Sequence, residues 1–339
     1  MILLLGADSY VGQAFARSLR RRKDSFIPLS RTAFDYTRFE FLLDYMRKTQ
    51  PDLVINAADS GGEWEAWHDG GIQSKRGKED GNDGPVKRTE MLQVNVLLPQ
   101  MVTRVCSMTN TPWAHISSGS IYRGAKVSEN GRLRLENDLS LPALRRLFAS
   151  QPGCFRGFTE VEEANVSFRS APCDFYCGTK ALAEEAIREP QEGYIWRFRL
   201  PFNQEDGPRN FLTRLSNLSY VRDAIQCLSQ VDDCANACLE LWERRSPFGI
   251  YNVVNAGGIL TGEVIGLMRQ ILNRRSPLNL LVFDHQCSSS SDQREHSGCL
   301  LDSSKLCAHG IRLRTVREAI EQSLKHWQPH TLQGARLLA

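Results

Sequence analysis

The sequence predicts an α/β fold built on a doubly wound parallel sheet, and two observations support this prediction. Short apolar strands alternate with amphipathic helices through the first 200 residues. The first strand, at residues 2–5, runs directly into a turn punctuated by glycines and then into a helix. Ligands of such sheets bind beyond the carboxyl ends of the strands, so we expect the functional residues there.

The elements follow in order along the chain. In the first helix Val11, Ala14, Phe15 and Leu19 recur at helical spacing, and basic residues at 20–23 follow where the helix dipole favours cations. The further predicted strands are 26–29, 53–57, 113–117, 194–200, 250–254 and 280–283, and the further predicted helices are 39–47, 91–108, 141–148, 179–188, 232–245, 261–272 and 316–327.

Two stretches interrupt the alternation of strands and helices. Residues 60–87 are rich in glycine and charge, and residues 284–297 contain four consecutive serines. Both are predicted to be loops at the ligand-binding end of the sheet, where long loops commonly carry function.

The charge balance and the cysteines exclude several classes of protein. The 42 Lys+Arg against 39 Asp+Glu give 42 − 39 = +3, so a concentrated basic face for nucleic acid is not expected. The ten cysteines form no CxxC pair, which predicts reduced thiols without a disulfide framework or a metal site. No apolar run is long enough for a membrane span or a signal peptide, so we expect a cytoplasmic protein without membrane contact.

The turn after the first strand favours dinucleotide binding in a Rossmann-type fold. Its cofactor-binding candidates are Gly6, Ser9, Tyr10, Val11 and Gly12, with Ser9 where a middle glycine is usual. Such a turn lets the backbone approach a pyrophosphate, and the helix that follows supplies amide donors and a positive dipole end.

Two further segments should contact the cofactor. Asn56, Ala57 and Ala58 follow the third strand and would line the cofactor site. At the end of the second strand, where an acidic residue would favour NAD, the chain has Ser30 and Arg31. A hydroxyl beside a guanidinium suits the 2′-phosphate of NADP, so we favour NADPH and keep NADH as an option. The alternative is that Arg31 only faces solvent.

A tyrosine and a lysine four residues apart form the candidate reactive site. On a helix this spacing places Tyr176 and Lys180 on one face, where an ammonium lowers the pKa of a nearby phenol. Ser118, at the end of an earlier strand, could hydrogen-bond a substrate carbonyl while the tyrosine transfers the proton. The second such pair, Tyr122 and Lys126, lies in a turn, so Tyr122 is assigned to packing or to the wall of a pocket.

Together these segments resemble the extended short-chain dehydrogenase/reductase superfamily. The matching segments are Gly6…Gly12, Asn56-Ala57-Ala58, Val94-Asn95, Ser117 to Tyr122 and Tyr176…Lys180. Residues 200–213 and 301–306 further resemble the dTDP-4-dehydrorhamnose reductase group, including the reductase part of plant nucleotide-rhamnose 3,5-epimerase/4-reductases. The similarity covers most of the chain and fails in the two loops and near residues 132–156.

The resemblance implies NAD(P)H-dependent reduction of the 4-keto group of a nucleotide-linked deoxysugar. It gives Ser118 the family's Ser/Thr role, Tyr176 the acid/base role, and Lys180 the ribose-binding role. Ser120 and Arg214 stand where the bifunctional enzymes have a cysteine and a lysine for epimerisation. Neither is a competent acid or base at neutral pH, so we expect no 3,5-epimerase activity.

For the nucleotide-diphosphate sugar, the substrate-binding candidates are Ser120, Arg209, Asn210 and Arg294, because Arg presents a planar fork to phosphate. For Arg209 and Arg294 the alternative is a solvated arginine on the surface. The resemblance also implies a nucleotide-binding domain at 1–200, with about 226–254 returning to it, and a smaller C-terminal substrate-binding domain at 201–225 and 255–330.

Two other functions remain open from the sequence. One is an NAD-dependent nucleotide-sugar 4-epimerase, whose strand end resembles residues 117–122 and which retains bound NAD. The other is a non-catalytic dinucleotide-binding regulatory subunit, favoured by Ser9 but opposed by the retained Ser118, Tyr176 and Lys180. The sequence leaves the oligomeric state open, with a homodimer as one option.

Overall fold

A six-stranded parallel sheet with helices on both faces forms the centre of the chain, which confirms the predicted fold class. The computed structural model describes residues 1–60, 83–129, 131–170, 173–187, 192–218, 220–272, 279–281 and 298–329.

The strands are β1 (Ile2–Leu5), β2 (Phe26–Leu29), β3 (Leu53–Asn56), β4 (Trp113–Ser118), β5 (Ala125–Glu129), β6 (Arg132–Glu136), β7 (Phe155–Arg156), β8 (Gly193–Phe198), β9 (Pro201–Phe202), β10 (Tyr220–Arg222), β11 (Ile225–Gln226), β12 (Ser229–Gln230), β13 (Gly249–Asn252), β14 (Ile259–Leu260) and β15 (Asn279–Leu281). The helices are α1 (Tyr10–Arg22), α2 (Phe39–Thr49), α3 (Asp83–Leu92), α4 (Leu98–Met108), α5 (Pro142–Ser150), α6 (Phe175–Ala186), α7 (Phe211–Ser216), α8 (Val231–Glu243), α9 (Thr261–Leu272), α10 (Ser304–Ala308) and α11 (Val316–Lys325).

The order of the central sheet is β2-β1-β3-β4-β8-β13, with every neighbouring pair parallel. The chain therefore reverses its direction of travel between β1 and β3. This reversal opens a crevice at the carboxyl ends of these two strands, where ligands of open α/β sheets bind.

Burial on both faces explains why the central strands are continuously apolar. Leu4 of β1 packs in one core with residues of α1 and α8, whereas Leu3 and Leu5 pack in a second core with α2 and α4. The alternation of side chains along a strand sends these neighbours to opposite faces.

The helix predicted at 91–108 differs from the structure. It begins at 83 as α3, and a π-helical turn at Gln93–Leu97 separates it from α4. Such turns are frequent at functional sites. The turn buries Asn95, whose side chain donates to the Ser60 carbonyl at 2.9 Å and to the Thr179 hydroxyl at 3.1 Å, so it joins the segment that follows β3 to α6.

The segment between residues 124 and 156 contains more structure than the single predicted helix. Helix α5 is present, but β5 also pairs antiparallel with β6 and β7 to form a three-stranded sheet. A separate apolar core joins this sheet and α5 to residues Cys299–Leu301.

The later part of the chain builds a further core and also returns to the central sheet. Helices α7, α9 and α11 share apolar contacts around Phe202 and Leu212. By contrast, α8 packs against α1, and β13 forms the last strand of the central sheet. Among the described residues no helix is long and apolar enough to cross a membrane, and no group of three or more His, Cys, Asp or Glu could hold a metal ion.

Candidate active site

Two adjoining cavities lie at the carboxyl ends of the central strands. The first contains Ser118, Tyr176 and Lys180 in its wall. The second is larger and extends past the glycine turn to Arg31 and α3. Ser9, Tyr10, Asp59 and Arg209 line both cavities, so the two form one groove.

The glycine turn packs tightly against the end of β3. Gly6 has a φ of +69°, and a Cβ there would come within 2.5 Å of the Ala58 Cα, so both the conformation and the space require glycine. A Cβ on Gly12 would lie 2.0 Å from the carbonyl oxygen of Gly6. These two glycines bring the N-terminus of α1 to the crevice.

Ser9 is compatible with the middle position of this turn. Its φ of −67° is ordinary for any residue, and its hydroxyl accepts the Gly12 amide at 2.9 Å while donating to the Ala57 carbonyl at 2.7 Å. It is the N-cap of α1, so the first-turn amides of Tyr10 and Val11 have no partner within the helix. The turn therefore retains donors for a pyrophosphate.

The segment after β3 divides into structural and lining residues. Asn56 is buried, accepts the Ala58 amide at 3.2 Å and donates to Nδ1 of His115 at 3.4 Å, so it shapes the turn. Ala57 lines the first cavity and Ala58 the second.

Two basic side chains, those of Arg31 and Lys87, lie in the wall of the second cavity. Arg31 lies in its wall and pairs with Glu90 of α3 at 3.0 Å. Lys87, one helical turn before Glu90, lines the same cavity. The Ser30 hydroxyl is 3.0 Å from that of Thr32, and Ser30 is not among the described lining residues. Sequence reasoning missed Lys87, which lies in a stretch predicted to be a loop.

Ser118 stands at the end of β4, and its hydroxyl accepts the Ser120 amide at 3.1 Å. It faces the first cavity. Ser120 is buried and does not appear among the described lining residues. Its Oγ has no hydrogen-bond partner within the described part of the chain.

Tyr176 and Lys180 lie on α6, which begins four residues earlier than the predicted helix. Asp174 caps this helix by accepting the Cys177 amide at 3.0 Å. The Lys180 ammonium is 5.6 Å from the centre of the Tyr176 ring, as the spacing of four predicts. Lys180 also forms an ion pair of 2.8 Å with Asp59, a residue that sequence reasoning missed although it directly follows Asn56-Ala57-Ala58.

A buried ionic network fixes α6 against β4 and β8. Glu184, two turns along α6 from Tyr176, pairs with Arg197 of β8 at 2.6 Å and accepts the Ser117 hydroxyl at 2.5 Å. Because Ser117 precedes Ser118, this network links the strand carrying Ser118 to the helix carrying Tyr176.

The substrate-side candidates separate in the structure. Arg209 and Arg214 both line the first cavity, and Arg214 Nε donates to the Pro208 carbonyl. Asn210 has another role: it is buried, its Oδ1 caps α7, and its Nδ2 donates to the carbonyls of Asn203 and Glu205 at 2.9 and 2.7 Å. Its amide is thus used to fold the loop, which corrects the expectation of a phosphate contact. Arg294 lies outside the described residues.

Tyr10 connects the cofactor turn to this loop. Its hydroxyl donates to Asn203 Oδ1 at 2.9 Å, and Asn210 Nδ2 donates to the same oxygen at 3.0 Å. Burial, followed by the nearby charge of Asp232, raises the pKa of Tyr10 well above its usual range, so the hydroxyl remains a donor.

The second Tyr/Lys pair is structural. The Tyr122 hydroxyl donates to the Glu162 carbonyl at 2.5 Å, and its ring stacks on Phe158 with 4.7 Å between ring centres. Lys126 pairs with the Glu162 carboxylate at 2.6 Å. These contacts agree with its assignment to packing.

No protein-family model matches the chain. Over 165 residues, or 48% of the chain, it is 24% identical to a bifunctional dTDP-4-dehydrorhamnose 3,5-epimerase/dTDP-4-dehydrorhamnose reductase of Arabidopsis thaliana. The chain spans 24% to 52% of the length of the curated relatives it matches.

Solved structures share the fold over almost the whole chain. The UDP-rhamnose synthase of Acanthamoeba polyphaga mimivirus has a TM-score of 0.71 at 16% identity, covering 96% of this chain and 98% of that one. The dTDP-4-dehydrorhamnose reductase of Bacillus anthracis in complex with NADP has a TM-score of 0.65 at 14% identity, with 96% of each chain covered. These comparisons confirm that the chain resembles the extended short-chain dehydrogenase/reductases of the dTDP-4-dehydrorhamnose reductase-like group.

Proposed function

We propose that the protein reduces the 4-keto group of a nucleotide-linked deoxysugar with NADPH and lacks 3,5-epimerase activity. The observation that carries the proposal is the single groove in which Ser118, Tyr176 and Lys180 adjoin a glycine turn. The curated relatives whose names include a dehydrorhamnose or keto-rhamnose reductase support the same reaction.

The groove fits a dinucleotide. The glycine turn lines the groove, and the first-turn amides of α1 have no partner within the helix, so the backbone there can bind a pyrophosphate. Arg31 and Lys87 supply two cations where the 2′-phosphate of NADP would lie, which favours NADPH over NADH. Lys180 would hold the nicotinamide ribose.

In the proposed reaction a reduced nicotinamide supplies the hydride. The Ser118 hydroxyl donates a hydrogen bond to the carbonyl oxygen of the substrate and orients it. The phenol of Tyr176 transfers its proton to that oxygen, so the ketone becomes a secondary alcohol and the tyrosine recovers its proton from solvent. Arg209 and Arg214, which line the same cavity, would bind the diphosphate.

The proposed lack of epimerisation rests on Ser120 and Arg214. Exchange of the protons at C3 and C5 requires a group that accepts and returns them at neutral pH. A serine hydroxyl and a guanidinium are unsuited to this, and Ser120 is buried.

The proposal is tested by offering dTDP-, UDP-, GDP- and CDP-linked 4-keto-6-deoxy sugars with NADPH and following its oxidation, with the product identified by NMR. In deuterated water we expect no deuterium at C3 or C5, and its incorporation would contradict the absence of epimerase activity. Protein that retains NAD through purification and interconverts 4-epimers without added reductant would instead indicate the 4-epimerase.

A further inference from the structure

Asp59 places a carboxylate in the wall shared by both cavities. Its Oδ1 lies 2.8 Å from Nζ of Lys180, whose side chain is only 3% exposed, while that of Asp59 is 27% exposed. An ammonium so deeply buried needs an anionic partner, and Asp59 provides it. The same negative charge opposes the phosphates of a dinucleotide, so its position in this groove is not explained by cofactor binding.

The ammonium of Lys180 also acts on Tyr176, whose ring centre is 5.6 Å away. A cation near a phenol favours loss of the phenolic proton. A carboxylate in direct contact with that cation cancels part of its field, so the phenol keeps its proton to a higher pH. Carbonyl reduction starts from the protonated phenol, whereas alcohol oxidation starts from the phenolate.

We propose that Asp59 is a positioning residue that acts through Lys180: by pairing with the ammonium it keeps Tyr176 protonated and favours carbonyl reduction over alcohol oxidation. This inference rests on the proposed function, because it assumes that Tyr176 is the acid of the reduction.

The charged groups that approach from neighbouring elements do not replace Asp59. His115 of β4 stays neutral, because burial and then the charge of Lys180 lower its pKa to about 3. Arg209 and Arg214 bring guanidinium groups, not carboxylates, to the wall of the first cavity.

Other titratable groups lie on and around α6. Cys173 packs in the same cluster as Tyr176, and burial raises the pKa of its thiol to about 11. Glu184 is paired with Arg197, and Asp174 caps the helix. The Tyr10 phenol remains protonated, as its raised pKa requires. Among the described residues around this pair, Asp59 is therefore the anion in contact with Lys180.

The test compares the wild type with D59N, which removes the charge and nearly preserves the shape. The rate of carbonyl reduction at saturating NADPH falls on the alkaline side as the phenol ionises. We expect D59N to move this alkaline limb about one pH unit lower. D59E, which restores the carboxylate, should return the limb toward the wild-type position.

Asp44 of α2 provides the matched control, because it is an exposed carboxylate that is not among the described residues lining either cavity. D44N makes the same chemical change without removing the partner of Lys180, and we expect its alkaline limb to remain within a few tenths of a pH unit of the wild type. An unmoved or raised limb in D59N, or an equal displacement in D44N, would overturn the proposal.

A measurement without substrate separates this inference from the proposed function. The phenolate absorbance of Tyr176 is obtained as the difference between each protein and the same protein carrying Y176F, with and without D59N. We expect the D59N midpoint to lie at lower pH. If no 4-keto sugar is reduced but this midpoint moves, the ion pair acts as inferred and the proposed reaction is wrong; an unmoved midpoint rejects the role of Asp59 whatever the substrate.

Discussion

Glu184 and Arg197 form a buried ion pair in which Oε2 lies 2.6 Å from Nη2, and both side chains are less than 10% exposed. The pair connects α6 to β8 beneath the reactive residues. Burial lowers the pKa of the Arg197 guanidinium, but the nearby negative charges, that of Glu184 first among them, together raise it further. The pKa of Arg197 is therefore raised overall. Removing one partner of this ion pair destabilises the fold far more than removing both, because a single removal leaves the other partner as an unpaired buried charge.

We therefore expect E184Q to lower the free energy of unfolding by about 3 to 5 kcal/mol. The double variant E184L/R197L, which removes both charges, should lose less. Urea unfolding monitored by circular dichroism measures both. The exposed pair of Arg317 and Glu321 is the control, since E321Q should cost under about 1 kcal/mol. Equal losses in E184Q and E321Q would contradict the buried pair as a support of the site.

The phenol of Tyr176 is expected to be required for turnover but not for cofactor binding. Y176F should reduce NADPH oxidation with a 4-keto sugar nucleotide by at least about a hundredfold, because the proton donor is lost. Its affinity for NADPH, measured by fluorescence, should stay within about threefold. Y122F is the matched control: it loses the hydrogen bond to the Glu162 carbonyl and about 1 kcal/mol of stability, yet should retain turnover. Full activity in Y176F would show that another group supplies the proton.

Cofactor preference should depend on Arg31. R31A is expected to weaken NADPH binding about tenfold and to leave NADH nearly unaffected, because only NADP carries the 2′-phosphate. E90Q should have the opposite effect on NADPH, since it releases Arg31 from its carboxylate partner at 3.0 Å. Binding titrations with both cofactors measure these changes. Equal losses for NADH and NADPH in R31A would mean that Arg31 does not distinguish them.

Acid sensitivity should arise partly from His115. Burial and Lys180 lower its pKa from 6.5 to about 3, so the unfolded chain binds this proton more readily than the folded one. Above the pKa of the unfolded chain, His115 is neutral in both states and costs no stability. As pH falls below that value, only the unfolded chain gains the proton, so the free energy of unfolding decreases by up to about 1.4 kcal/mol per pH unit. H115Q should therefore show a shallower loss of stability between about pH 6 and pH 4 than the wild type. Urea midpoints across this range check it, and parallel slopes would contradict it.

The strands of the central sheet could be predicted from the sequence because each strand is itself a short apolar segment. Buried parallel strands such as β1 are continuously apolar, and the strand predicted at 26–29 matches β2. The three-stranded sheet was missed although residues 132–136 alternate Arg-Leu-Arg-Leu-Glu. That period of two is typical of a strand, but only the neighbouring helix at 141–148 was predicted in this segment.

The candidate site was predictable where spacing along one element sets the geometry. Tyr176 and Lys180 meet because they are four residues apart on α6. Asp59 and Lys180 meet across 121 positions of sequence, so no local pattern indicates their contact. Asn210 is the opposite case, in which a local pattern is misleading. Its neighbours in sequence suggested an anion site, whereas its side-chain amide forms hydrogen bonds with backbone carbonyls of the folded loop.

The hydrogen bond from Tyr10 to Asn203 has a thermodynamic consequence for the two cavities. Tyr10 is a wall of both, and Asn203 belongs to the loop that leads to Arg209. If the proposed dinucleotide restrains the glycine turn, this hydrogen bond also restrains that loop, and the proposed sugar nucleotide would then bind with a smaller loss of loop entropy. Such a linkage is reciprocal: whatever factor the first ligand adds to the affinity of the second, the second returns to the first.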